Sequence, residues 1–126
     1  MNATLQTGMT VVIIALVFYS LFIRREYKTR QVSSSLLTLL CLGLFFDVTA
    51  TVFMIFGSLN SPFTLHGFIG YSALAVMFMD TVLLWRVRLR FGKNAAIPVN
   101  LHKYSLLAYS WWVVAFITGG LIAMVL

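Results

Sequence analysis

A chain of 126 residues that is 61% hydrophobic and 10% charged has too little polar surface for a water-soluble fold of its size. Its net charge of +6 would ordinarily raise nucleic acid as a partner, but no nucleic-acid-binding pattern surrounds the basic residues. The single cysteine, Cys41, excludes an intramolecular disulfide and reads as a buried small hydrophobe.

In chain order, the residues before the first apolar run are uncharged and lack the basic n-region of a cleavable signal peptide. Asn2-Ala3-Thr4 matches the short glycosylation pattern, with nothing else pointing to a secretory compartment. At about 20 residues per span, four apolar runs predict helices over residues 7–23, 36–57, 64–85 and 104–126, in a single domain covering 1–126. Arg24, Arg25, Lys28 and Arg30 follow the first run; Arg86, Arg88, Arg90, Lys93 and Lys103 follow the third. Basic loops are retained on the cytoplasmic side. The expected fold is therefore all-α and integral to the membrane: an antiparallel bundle of four transmembrane helices with both termini on the outer, periplasmic side. The bacterial cytoplasmic (inner) membrane is the expected location, with anionic lipid against the basic face.

Local signals agree with these boundaries. Asn60-Ser61-Pro62 breaks the chain between the second and third helices. Ser33, Ser34 and Ser35 offer caps for the second helix, and Asn100, preceded by Pro98, offers one for the fourth. Tyr27, Trp85 and Tyr104 fall at the cytoplasmic interface.

Three helices carry polar or small residues at spacings of three and four, which lines them up on one face. The second has Gly43, Asp47, Thr51, Met54 and Ser58; the third has His66, Gly70, Ala73, Met77 and Asp80. The fourth has His102, Ser105, Tyr109, Trp112 and Phe116, followed by Gly119-Gly120, which reads as close helix packing. Such faces pack against one another in membranes, leaving the aliphatic backs to lipid. At about 1.5 Å rise per residue, Asp47 lies near mid-membrane, and Asp80 and His102 share the cytoplasmic leaflet. His66 lies at the outer end, too far from His102 to share one metal or haem iron.

Each acid has a plain and a functional reading. Asp47, near Thr49 and Thr51, reads as a lock bonded to helix backbone or hydroxyls, or as a proton relay or ligand contact. Asp80 reads as a tie to His102, Arg86 or Lys103, or as a proton acceptor. His66 is an interfacial hydrogen-bonding residue or a ligand. His102, at a helix start beside an intramembrane acid, is a candidate for a redox site.

Phe45-Phe46-Asp47-Val48-Thr49-Ala50-Thr51, His66 with Gly70 and Met77, and Leu101-His102-Lys103-Tyr104-Ser105 together resemble the HsmA family of small four-helix bacterial membrane proteins, over about two-thirds of the chain. The resemblance implies the architecture more than an activity. The layout is also similar to small b-type cytochromes, in which histidines on neighbouring helices hold haem. In the HsmA pattern the place of Asp80 is normally histidine, which beside His102 would make a pair of axial ligands. With Asp80 there, the resemblance implies a member that keeps the bundle without a bis-histidine site.

No familiar catalytic apparatus, phosphate-binding loop or metal site is legible, so catalytic residues are none and an enzyme is not expected. Three functions remain. The leading one is a non-catalytic accessory or structural subunit of a larger membrane complex, one involved in electron transfer among them, partnered by other membrane subunits or further copies of itself. The second is a redox protein carrying haem or a chlorophyll-type pigment on His102 or His66. The third is a proton- or small-solute-handling protein using Asp47 and Asp80, with Thr51 and Tyr109 as intramembrane polar neighbours.

Overall fold

The computed structural model describes residues 3–57 and 65–125, and the side-chain surroundings of 6–53 and 69–118. They form four helices: α1 (Ala3–Thr29), α2 (Ser34–Gly57), α3 (Leu65–Phe91) and α4 (Val99–Val125). The first and third run past the apolar residues into the basic segments, because Arg, Glu, Lys and Leu sustain a helix until a stop is met. For α3 the stop is Gly92, at φ +99° with its N–H donating to Arg88 O at 2.9 Å. For α1 it is Arg30, at φ +51° and donating to Glu26 O at 2.8 Å. Both are left-handed C-terminal caps; Arg30 adopts without glycine a conformation that costs about 1–2 kcal/mol.

Ser33 Oγ accepts from Leu36 N at 3.2 Å and caps α2. Asn100 does not cap α4. His102 N donates to Pro98 O at 3.0 Å, which starts the helix two residues earlier and leaves Asn100 exposed within its first turn.

The segments joining α1 to α2 and α3 to α4 are bound to each other. Val32 N donates to Ala95 O at 3.0 Å and Ile97 N to Arg30 O at 2.8 Å, around an antiparallel bridge between Gln31 and Ala96. Val32 and Ile97, both buried, seal this end of the core. The four helices contact one another as α1–α2, α2–α3, α3–α4 and α4–α1, most extensively in the first and third pairs. Tyr19, Phe22, Leu40, Met77, Leu84 and Trp112 fill the centre. Outside, large apolar side chains stand exposed on every helix, among them Val17 and Leu21 on α1, Phe45 on α2, Phe78 on α3 and Leu107 on α4. Among the described residues, Gln6–Thr29 and Ser34–Phe53 are long and apolar enough to cross a membrane.

Candidate functional site

The inward stripes of α2, α3 and α4 meet as their spacing predicts: Gly43, Asp47, Ala73, Met77, Asp80, His102, Ser105 and Trp112 are buried. The acids among them form two separate clusters. In the first, Asp47 Oδ2 accepts from Tyr19 Oη at 2.8 Å and from Trp112 Nε1 at 2.9 Å, joining α1, α2 and α4 through one oxygen. The Tyr19 and Trp112 rings meet edge to face at 4.9 Å, a geometry that adds to their burial. Gly43 makes room for Tyr19, since a Cβ there would fall 2.6 Å from the ring. The threonines do not serve Asp47's carboxyl as expected. Thr51 Oγ1 donates to the Asp47 backbone oxygen and Thr49 to that of Phe45, because a hydroxyl on the same helix reaches the carbonyl one turn back more readily than a side chain. Tyr109 shares a hydrogen bond with Ser20 at 2.7 Å, a further tie between α1 and α4.

The second cluster lies at the clasped end. Asp80 takes neither His102, Arg86 nor Lys103 as hydrogen-bond partner. Its Oδ1 accepts from Ser105 Oγ at 2.6 Å, while Arg86 and Lys103 stand exposed; long cationic side chains reach water, and the short hydroxyl of the inner stripe remains. The unforeseen member is Glu26. Its exposure is 0%, as is that of Asp80, against 3% for His102. Glu26 Oε2 stands 3.7 Å from His102 Nδ1, beyond hydrogen-bond length, and Glu26 lies within electrostatic range of Asp80 and Arg30. Neither Glu26 oxygen, neither His102 nitrogen, nor Asp80 Oδ2 has a partner at full hydrogen-bond geometry, although the Ser105 hydroxyl that serves Asp80 also lies close to the Glu26 carboxyl. Buried polar atoms in that condition are uncommon and costly, by about 1–3 kcal/mol each. His102 precedes the fourth apolar run, and burial holds its imidazole below the ordinary pKa, with the Arg30 charge acting in the same direction.

Glu26 was legible. Ala15, Tyr19, Phe22 and Glu26 follow one another at spacings of four, three and four and share the buried face of α1. Its neighbours Arg24, Arg25, Tyr27 and Lys28 give the segment the look of a solvated loop.

Among the described residues no three His, Cys, Asp or Glu side chains are placed to hold one metal ion. As an axial ligand His102 would need an open face, but its ring is enclosed by protein, and the surface clefts beside Arg86 and Trp85 are lined by other residues. The His66 side chain lies outside the described residues, as do those of Met54, Ser58, Gly119 and Gly120. Cys41 is half-buried rather than buried, and its Sγ accepts from Trp85 Nε1 at 3.3 Å. Comparison with family models, with curated proteins and with solved structures finds no match in any of the three.

Proposed function

We propose that the chain is a four-span integral membrane protein of the bacterial inner membrane that binds and releases a proton at Glu26, His102 and Asp80. Its helices run antiparallel, with the clasped segments at the cytoplasmic face. The observation that carries the reading is a set of three buried titratable side chains, from three helices, whose polar atoms are largely unpartnered. Such groups change protonation state without breaking a packed hydrogen-bond network, and intramembrane ionisable residues commonly mark proton paths. The proton would sit between Glu26 Oε2 and His102 Nδ1. Closing their 3.7 Å gap by about 0.8 Å makes a normal hydrogen bond, with Glu26 as donor and neutral imidazole as acceptor. Asp80, already held by Ser105, would modulate that proton through its charge.

Asp47 has the other role. Two donors converge on one of its oxygens, so it fits an interhelical lock better than a relay. The membrane assignment draws support from the apolar outer faces of all four helices and from the two candidate spans.

The test is pH-difference infrared spectroscopy of the protein reconstituted in lipid. A carboxylic-acid carbonyl band that titrates, disappears in Glu26→Gln and shifts in His102→Gln is the expected result. An unchanged titration in both Glu26→Gln and Asp80→Asn refutes the site.

The accessory-subunit reading keeps one specific support. Leu107, Trp111 and Val114 form an exposed apolar line on α4, at the spacing by which one helix offers a stripe to a neighbour. Stable co-purification of larger partners through mild detergent, lost in Leu107→Ser/Val114→Ser, would establish it.

A further inference from the structure

All three acidic residues of the chain are buried, whereas none of its nine Lys and Arg residues is. The described surface therefore carries cations and no carboxylate side chain. The buried contact between Glu26 and His102 involves none of the nine. Counter-ions for the basic end must come from another molecule.

One place is shaped to receive such a molecule. A cleft of about 670 Å³ opens between the C-terminal end of α3 and the start of α4, within the roughly 300–1,000 Å³ usual for small-molecule sites. Arg86 and Arg90 line it one helical turn apart, so both guanidinium groups can turn to one anion. Asn100 offers an amide from the α4 side. The remaining walls are apolar and include Leu83, Val87 and Leu101. Tyr104 contributes its ring, because its hydroxyl is already committed to Val76 O at 2.9 Å. Leu83 lies one turn nearer the middle of α3 than Val87, and Leu89, Phe91 and Pro98 line the loop end. The two arginines therefore stand against an apolar wall that continues past them towards the middle of α3.

We infer that this cleft is a binding site for an anionic glycerophospholipid, its phosphodiester between Arg86 and Arg90 and its first acyl methylenes along Leu83 and Val87. The inference rests on the four-span membrane reading. A free inorganic or sugar phosphate would use the arginines and leave the apolar wall without a role; a zwitterionic lipid would bring a cation to a surface that already has an excess of them. Paired basic residues between spans on the cytoplasmic side are a general means of holding anionic headgroups.

Native mass spectrometry of the whole chain released from mild detergent, titrated with phosphatidylglycerol or phosphatidylcholine, tests it. The wild-type chain is expected to bind phosphatidylglycerol at least about fivefold more tightly than phosphatidylcholine. Arg86→Gln/Arg90→Gln should lower the phosphatidylglycerol affinity about thirtyfold, as expected for two cations near the surface. Both arginines are exposed, so the fold does not depend on them. Arg24→Gln/Arg25→Gln removes the same charge from α1 and should change the affinity less than about twofold. Equal losses in the two double variants overturn the inference in favour of diffuse attraction. So does equal binding of the two lipids, or full displacement of phosphatidylglycerol by millimolar glycerol phosphate. Alkaline extraction of cell membranes checks the underlying reading separately: recovery of the chain in the soluble fraction refutes the membrane assignment whatever the lipid titration gives.

Discussion

Gly43→Ala should destabilise the protein well beyond the cost of one methyl group. The added Cβ would lie 2.6 Å from Cδ1 and 2.7 Å from Cε1 of Tyr19. Carbon atoms in contact prefer about 3.5–4.0 Å, so the ring must retreat by about 1 Å. The Tyr19 hydroxyl now donates to Asp47 at 2.8 Å; moved by that amount, the bond is lost. Escape is restricted, because the Trp112 ring stands against Tyr19 at 4.9 Å and supplies the other donor to the same oxygen. Overpacking costs about 1–3 kcal/mol and a broken bond to a buried carboxyl about 1–3 kcal/mol, together about 2–6 kcal/mol. Equilibrium unfolding in mixed micelles, titrated from mild detergent to dodecyl sulfate, would measure it alongside Tyr19→Phe and the double variant. In the Tyr19→Phe background the hydrogen bond is already absent, so Gly43→Ala should cost about 1–3 kcal/mol less there. A single variant within about 0.5 kcal/mol of wild type, or strict additivity of the two changes, refutes the proposed coupling.

Further expectations concern the clasp and the second cluster. Gln31→Cys/Ala96→Cys in a Cys41→Ala background should form a disulfide under mild oxidation, because directly opposed residues in a non-hydrogen-bonded antiparallel pair lie about 4.5 Å apart at Cα; failure to crosslink in intact membranes would show that the segments are not paired there. Ser105→Ala should cost about 1–3 kcal/mol in the same unfolding assay by leaving Asp80 with no hydrogen bond, while Ser110→Ala, whose hydroxyl bonds its own helix, should cost less than about 0.5 kcal/mol. Because His102 is held below its ordinary pKa, the unfolded chain binds more protons than the folded one once pH falls below about 6.5. His102's contribution to stability is therefore full above that value and lost as pH falls through the lower folded value; His102→Gln should flatten this part of the profile, and an unchanged slope would refute it.

The sequence was most informative where helix periodicity meets a strong polarity contrast. On α2, α3 and α4 a few polar residues stand out among leucines and valines, so the buried face could be named from spacing, and the structure places Asp47, Asp80 and His102 on it. On α1 the contrast reverses. Glu26 sits among four other polar or charged neighbours, and only the continuation of the pattern from Ala15 through Tyr19 and Phe22 separates it from the solvated face. Partners were less legible than faces. That Asp47 takes its donors from Tyr19 and Trp112 depends on how neighbouring helices rotate and slide, and Gly43 is part of that outcome. Asp80 choosing Ser105 over a formal cation follows from competition with solvent, which charge complementarity in the sequence does not register. The bond between the two basic segments has no sequence signature, because it is made by backbone groups alone.

That backbone clasp also orders events in time. Its two halves, around Gln31 and Ala96, are separated by two entire helices, and the ribosome completes the first long before the second exists. Until α4 is made, the carboxyl of Glu26 has neither His102 nor the Val32–Ile97 seal around it, so it can remain hydrated. Only when α3 and α4 arrive does the cover close, and a group that entered the fold wet becomes enclosed. Enclosure of the Glu26 carboxyl thereby waits on residues of the last helix, whose packing is then available to offset it.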